Sequence, residues 1–430
     1  TDPNNRNRWG VRGQLLIEPN DALKFRVIAD YDKLDEECCG VVNVINGATG
    51  GIITAIGGKI NGDQPFSYDT FQNFDSTNKI KNYGFSGQAD LELSDTLSLT
   101  SITAYRGVDS LTNQDSDFTS ADLLKKNTSD TGIKTFTQEL RLASNFDGPI
   151  NFLLGGYYFD EKIDIANDIK YGSQFRAYGN ALIQRASAGA LSYATLEGAF
   201  GSSEGNATKY AGQFGGAGQG LDEVFTLKDK AWSIFGTVDF EVTDRLTLTG
   251  GFNYTKDKKN IASNTSVTDV FSNIDLVLVG ANAGVPAVIP TGAVGNTSTL
   301  YPRITACPNR NGAASVCNPF LGLAALQFLP QFLNLPNAVE DGRTNDGKLT
   351  YSGRVAYEAT DNINLYASYS TGFKATSWNM SIDSRPFVAD FVAGSPSQGA
   401  PLAASAIRTA GLATANLTSG TRYALPEEAK

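Results

Sequence analysis

The chain has 430 residues, of which 41% are hydrophobic and 10% aromatic, with 44 glycines and a mean hydropathy of −0.21. No stretch approaches the ~18 consecutive apolar residues of a transmembrane helix, so any membrane crossing must be made by strands. A net charge of −10 argues against nucleic acid as a partner, and the absence of histidine removes Ser-His-Asp catalysis, imidazole-held zinc and axial histidine ligation of haem.

In chain order, the sequence reads as five hairpins: 9 to 17 with 23 to 31, 83 to 93 with 97 to 107, 135 to 143 with 150 to 160, 231 to 241 with 246 to 256, and 349 to 359 with 363 to 371. Side chains alternate between two faces along each strand. Trp232, Ile234, Val238, Phe240 and Val242 share one face, while Ser233, Thr237, Asp239 and Glu241 share the other. After the turn at 243 to 245, Leu246, Leu248, Phe252 and Tyr254 continue the apolar face, and Thr247, Thr249, Asn253 and Thr255 the polar one. Aromatic residues gather toward strand ends (Trp9, Tyr31, Tyr83, Tyr105, Phe136, Tyr158, Trp232, Tyr254), as in the girdles of a membrane barrel. Very short turns alternate with connections of roughly 30 to 90 residues, counted between these segments. In a compact soluble domain, loops beyond about 12 to 15 residues are uncommon. A soluble β-sandwich is therefore set aside in favour of an all-β, transmembrane antiparallel barrel, partial, with about ten strands of a larger wall and long extracellular loops.

Chemical motifs are few. Asp35 with Glu36 and Glu37, and Asp115 with Asp117, are carboxylate groups expected in solvated loops, and no nucleophile-and-base constellation accompanies them, so no catalysis and no cofactor is expected. The glycine-rich run 212 to 220 misses the dinucleotide fingerprint and reads as flexible loop. Cys307 and Cys317 bracket a short loop that a disulfide would close in an oxidising compartment. For the adjacent Cys38 and Cys39, a vicinal disulfide and thiolate metal binding both stay open. Asn318-Pro319 starts an apolar helical stretch over 318–336, expected to pack against neighbouring loops. On the inner face, Arg106, Glu139, Arg141, Arg354 and Glu358 are candidate lumen or plug contacts, with charge ladders that merely hold the polar lumen as the plainer role.

The segments TFTQELRLAS (135 to 144), WSIFGTVDFEVTDRLTLTGGFNYTKDKK (232 to 259) and YSGRVAYEATDNINLYASYSTGFKATSWN (351 to 379) resemble the barrel of TonB-dependent outer-membrane receptors, as does Leu425-Pro426-Glu427-Glu428 after a long loop. The resemblance implies a 22-stranded barrel with a plug inside it, outer-membrane lipid around it, and energised uptake of a large nutrient such as a ferric siderophore. The partner would be the inner-membrane TonB system, acting through the plug; the nutrient is not specified. A passive porin or a structural or adhesive surface barrel shares the same wall. No plug-like region, TonB-box-like N-terminus or secretory signal is read in the sequence, and Lys430 is not the terminal aromatic of a complete barrel. Residues 1–430 are thus expected to be one barrel domain, an internal piece of a receptor.

Overall fold

The computed structural model describes residues 5–38, 40–67, 69–274 and 342–378, with Leu323, Gln327 and Leu329. Ten strands follow one another as β1 (Arg8–Asn20), β2 (Leu23–Glu37), β3 (Thr77–Ser94), β4 (Leu97–Asn113), β5 (Leu124–Ser144), β6 (Ile150–Tyr171), β7 (Gly220–Thr243), β8 (Leu246–Val267), β9 (Arg343–Thr360) and β10 (Ile363–Ser370). They form a single sheet in sequence order, each strand antiparallel to the next. Because this is an unbroken meander, the short turns at 21–22, 95–96, 145–149, 244–245 and 361–362 share one rim, and the long connections share the other.

All ten expected strands are present, but most run further toward the long-loop rim than the alternation suggested. Strands β5 to β8 have 21 to 24 residues, about twice the ~9 to 11 that a tilted strand needs to cross a bilayer. The expected long connection 108 to 134 shrinks to 114–123, because β4 and β5 continue as polar hairpin. In these extensions the outer face turns polar while the inner face of β6 and β7 carries Ile163, Ile165, Ile169, Leu221, Phe225 and Leu227, so the sense of the alternation reverses relative to the lipid-facing band. Main-chain pairing holds the strands together, and Lys170 bridges to Asp222 at 2.6 Å and Lys162 to Asp164 at 2.7 Å across or along the outer surface.

Below the extensions, the outer face is apolar. Trp9, Leu15, Ile234, Val238, Phe252, Tyr351 and Leu365 stand 44% to 57% exposed, which suits a lipid surround. Aromatic pairs border this band: Trp9 with Tyr31 (ring centroids 5.3 Å apart), Phe136 with Tyr158 (6.3 Å) and Trp232 with Tyr254 (5.6 Å). Among the described residues no helix is long and apolar enough to cross a membrane.

The buried apolar residues lie mostly in the long connections. Ile53, Ala121 and Leu123 form one cluster, with Tyr178 against it. Ile183, Tyr193, Leu196, Phe200, Phe214, Phe271 and Ile274 form another. Helices α1 (Gly50–Ala55), α2 (Phe175–Ala186) and α3 (Tyr193–Ser203) supply much of both. The loops therefore fold into a cap with its own core, seated on the sheet.

Candidate functional site

Two surfaces have the makings of a site: the inner wall and the cap above it. Register places Asp30, Arg106, Thr135, Glu161, Asp229 and Lys259 in one row across the inner face from β2 to β8. Gly84 on β3 stands between Asp30 and Arg106, and a Cβ there would come within 2.8 Å of the guanidinium. That gap lets Arg106 cross a whole strand. It donates to both carboxylate oxygens of Asp30 at 2.9 and 3.0 Å and to Asn82 Oδ1 at 2.7 Å. Farther along, Thr135 donates to Glu161 at 2.8 Å, and Lys259 bridges Asp229 at 3.3 Å and Asp257 at 2.5 Å. With Glu161, Asp229 and Asp257 around one lysine, this end of the row is acidic.

The five nominated inner-face residues do not converge. Arg106 belongs to the row just described. Glu139 and Arg141 pair with each other two residues apart on β5. Arg354 lies 5.1 Å over the ring of Tyr366, a cation–π contact between β9 and β10, and Glu358 sits exposed beside the short-turn rim, its backbone N–H donating to Arg245 O at 2.8 Å. Sequence reasoning missed Glu161, Asp229, Asp257 and Lys259, which all lie just past the strand limits drawn at 160, 231 and 256. Asp30 was available in the alternation of 23 to 31. Cys38 is disulfide-bonded and so offers no thiolate to a metal, while Cys39, Cys307 and Cys317 lie outside the described residues.

In the cap, the connections are tied to one another by buried polar groups. Asp115 and Asp117 are not solvated, contrary to expectation. Asp115 is fully buried and accepts from the N–H groups of Asn73 at 3.0 Å and Asp117 at 3.1 Å. Burial pushes Asp117 up to about 6, with Asp115 adding to the effect against hydrogen bonds from Thr119. Asp122 accepts from Asn73 Nδ2 at 3.1 Å and from Ser173 N and Oγ at 2.7 Å, so it joins the 38–76, 114–123 and 172–219 connections. Gln174 reaches Ile56 O at 2.7 Å across the same junction.

The 212 to 220 run is not an open linker. Glu197 on α3 accepts the N–H groups of Gly212 at 2.9 Å and Phe214 at 2.8 Å, and takes a two-pronged bond from Arg176 at 2.6 and 3.1 Å. Burial alone would raise the Glu197 carboxyl, but Arg176 and those N–H groups hold it below its ordinary value. Positive φ at Gly212, Gly215 and Gly218 gives the chain the turns that this arrangement requires. Removing Arg176 would leave the buried Glu197 carboxylate without its charged partner, which destabilises this junction. From the apolar 318–336 stretch, Leu323 packs on the second cluster, and Gln327 donates to Phe271 O and Ile274 O at 2.8 Å; the helix expected there lies outside the described residues.

The cap leans to the inner side. Tyr171, Leu221 and Phe225, which alternation directs inward at the top of β6 and β7, are buried, and Phe175 at the start of α2 stacks on Tyr171 at 3.5 Å. A long-looped meander with a lipid-facing band, a charged inner wall and an inward-leaning cap is the geometry of a membrane barrel wall. A family model described as "TonB dependent receptor-like, beta-barrel" matches residues 41–418. The chain belongs to this family. Among solved structures, this TonB-dependent receptor barrel is similar to the ferric yersiniabactin uptake receptor FyuA from Yersinia pestis (10% identity, TM-score 0.44, covering 84% of this chain and 37% of that one). It is also similar to the ferric-catecholate import receptor Fiu from E. coli K12 (11%, 0.42, 85% and 46%) and the siderophore receptor PiuA from Acinetobacter baumannii (13%, 0.42, 85% and 42%). The receptor barrel thus spans less than half the length of each. No curated protein sequence matches it.

Proposed function

We propose that the chain is part of the wall and mouth of an outer-membrane receptor that takes up a large nutrient, such as a ferric siderophore, with energy delivered by the TonB system. Family membership supports the receptor class. The observation that favours a selective receptor over a passive porin is the cap: four connections packed around two buried clusters, one of them built on aromatic rings, with α2 set against the inner face of the wall. A diffusion pore gains nothing from a mouth built with a core. In this reading the cap meets the nutrient first, and the inner row from Asp30 to Lys259, with Glu139, Arg141 and Arg354, lines the path or receives a plug.

The test is uptake of radiolabelled iron, presented as a panel of ferric siderophores, by cells carrying the full-length gene, with and without a functional TonB system. Saturable uptake that stops when the energy source is removed is the expected result. Energy-independent passage of small solutes would replace the receptor with a porin, and failure of every large nutrient tested, alongside surface adhesion, would replace it with an adhesin.

A further inference from the structure

Directly above the charged row, on the long-loop side, the inner wall carries a second row that is apolar. Register aligns Val108 on β4, Ile133 on β5, Ile163 on β6, Leu227 on β7 and Ile261 on β8, one from each of five consecutive strands. Ile165 and Phe225, paired with each other, stand next above Ile163 and Leu227. Phe225 is buried, whereas the five residues of the row are only half-buried and keep surface toward the lumen. Four strand spacings make the row about 19 Å long, and it lies about 7 Å above the charged one. A wet lumen does not call for a continuous apolar row, so this shelf is suited to an apolar partner.

The charges beside the shelf are mostly negative. On β6 to β9 the upper inner face carries Glu161, Glu223, Asp229, Asp257 and Asp346 against Lys259 and Lys348. One ammonium, that of Lys259, serves both Asp229 and Asp257. Glu161 accepts from Thr135 and Glu223 from Asn167, and neither makes an ion pair among the described residues. Asp229 Oδ1, though buried, has no hydrogen-bond donor among them. Phe159 stands on the same face of β6, one place below Glu161, and offers a ring to a cation there. Four of the five carboxylates thus lie along the lower edge of the apolar row, where positive charge and N–H donors are in short supply. We infer that this shelf binds a ligand with an apolar body and a positively charged end, an ammonium or a guanidinium, with the body along the row from Val108 to Ile261 and the charge against Glu161 and its acidic neighbours. Because only a nutrient that enters the lumen meets this face, the site rests on the transport reading. It narrows that reading to cargo of net positive charge, against the anionic metal chelates that an acidic wall would repel.

The experiment uses the full-length protein in a non-ionic detergent, with naphthylacetyl-spermine, an aromatic body on a polyamine, as the probe. Naphthylacetyl-triglutamate supplies the same body with the opposite charge, and spermine the charge without the body. Fluorescence anisotropy should show saturable binding of the cationic probe, with the glutamate analogue and, by competition, spermine each weaker by roughly tenfold or more. Joint replacement Ile163→Thr and Leu227→Thr should weaken the probe by about tenfold through lost apolar contact, and Glu161→Gln with Asp346→Asn by about as much through lost charge. Asp130→Asn, at an exposed carboxylate on the outer face of β5, should leave binding unchanged. Heat-modifiable migration establishes that each variant is folded; if one fails to fold, the three compounds compared on the native protein still decide. No saturable binding would give the row to a covering segment of protein, and equal affinity for the two naphthyl compounds would deny the charge preference. Either result, equal binding of spermine, or native affinity in the folded double variants would overturn the inference. Energised uptake with no probe binding would strike this inference alone, whereas probe binding with no energised uptake would strike the transport reading and leave the shelf a binding site.

Discussion

Val238 and Thr237 are neighbours in sequence with opposite surroundings. Val238 faces outward in the apolar band at 47% exposed, and Thr237 faces the inner wall beside Gly251. The same contrast separates Leu248 from Thr249, whose hydroxyl donates to Asp239 at 2.6 Å. An arginine near the bilayer midplane costs about 2 to 4 kcal/mol on the lipid face of a barrel. Val238→Arg and Leu248→Arg should therefore impair assembly of the full-length protein, read as loss of heat-modifiable migration. Thr237→Arg and Thr249→Arg should be tolerated, the second with Asp239 in reach. Equal damage on both faces would put the strand register off by one residue.

Among the elements, the wall was legible in the sequence and the cap was not. Where a strand has lipid on one side and a wet lumen on the other, its residues must alternate, and β7 and β8 do so from Trp232 to Tyr254. Above that level the outer face turns polar and the inner face of β6 and β7 turns apolar, which reverses the alternation, and Leu124 to Thr131, polar on both faces after Leu124, reads as loop though it is strand. The inner row was lost with the extensions, since Glu161, Asp229 and Lys259 sit on them. The cap was illegible for another reason: its core joins Tyr193, Phe200, Phe214 and Phe271, which are far apart along the chain and follow no period. Its polar junctions make it pH-sensitive. Asp117 binds a proton at about 6 in the folded cap, against about 4 for an ordinary aspartate, so between those values the folded state holds more protons than the unfolded one. Its contribution to cap stability therefore rises as pH falls through 6. Asp122 and Glu197, both held low, act oppositely and only below the ordinary carboxylate range. Amide exchange in 114–123, corrected for intrinsic rates, should show greater protection at pH 5 than at pH 7, and Asp117→Asn should shrink the difference to the part that Asp115, also raised by burial, supplies. Protection that falls on acidification from 7 to 5 would contradict this account.

For the molecule as a whole, the sheet is open among the described residues: β1 and β10 each have a strand neighbour on one side only. Strand edges with unpaired main-chain groups invite pairing between chains, and here they adjoin a broad apolar face with Val11, Leu15 and Ile17 on β1 and Leu365 and Tyr369 on β10. The 430-residue chain made alone in water should sediment as aggregate and disperse only in detergent. A monomeric, detergent-free species by analytical ultracentrifugation would mean that the apolar face is covered by protein and the lipid-facing assignment is wrong.

The strands' length has one more consequence. From Trp232 in the girdle to Gly220 at its upper end, β7 rises roughly 30 Å above the lipid, allowing for tilt. The barrel wall is therefore also a rigid pedestal, which lifts α2 and α3 clear of the lipid headgroups. A bulky soluble protein such as an antibody can reach the cap there without touching the bilayer, so the height of the wall decides which part of the chain stays open to large probes when the lipid-facing band is covered.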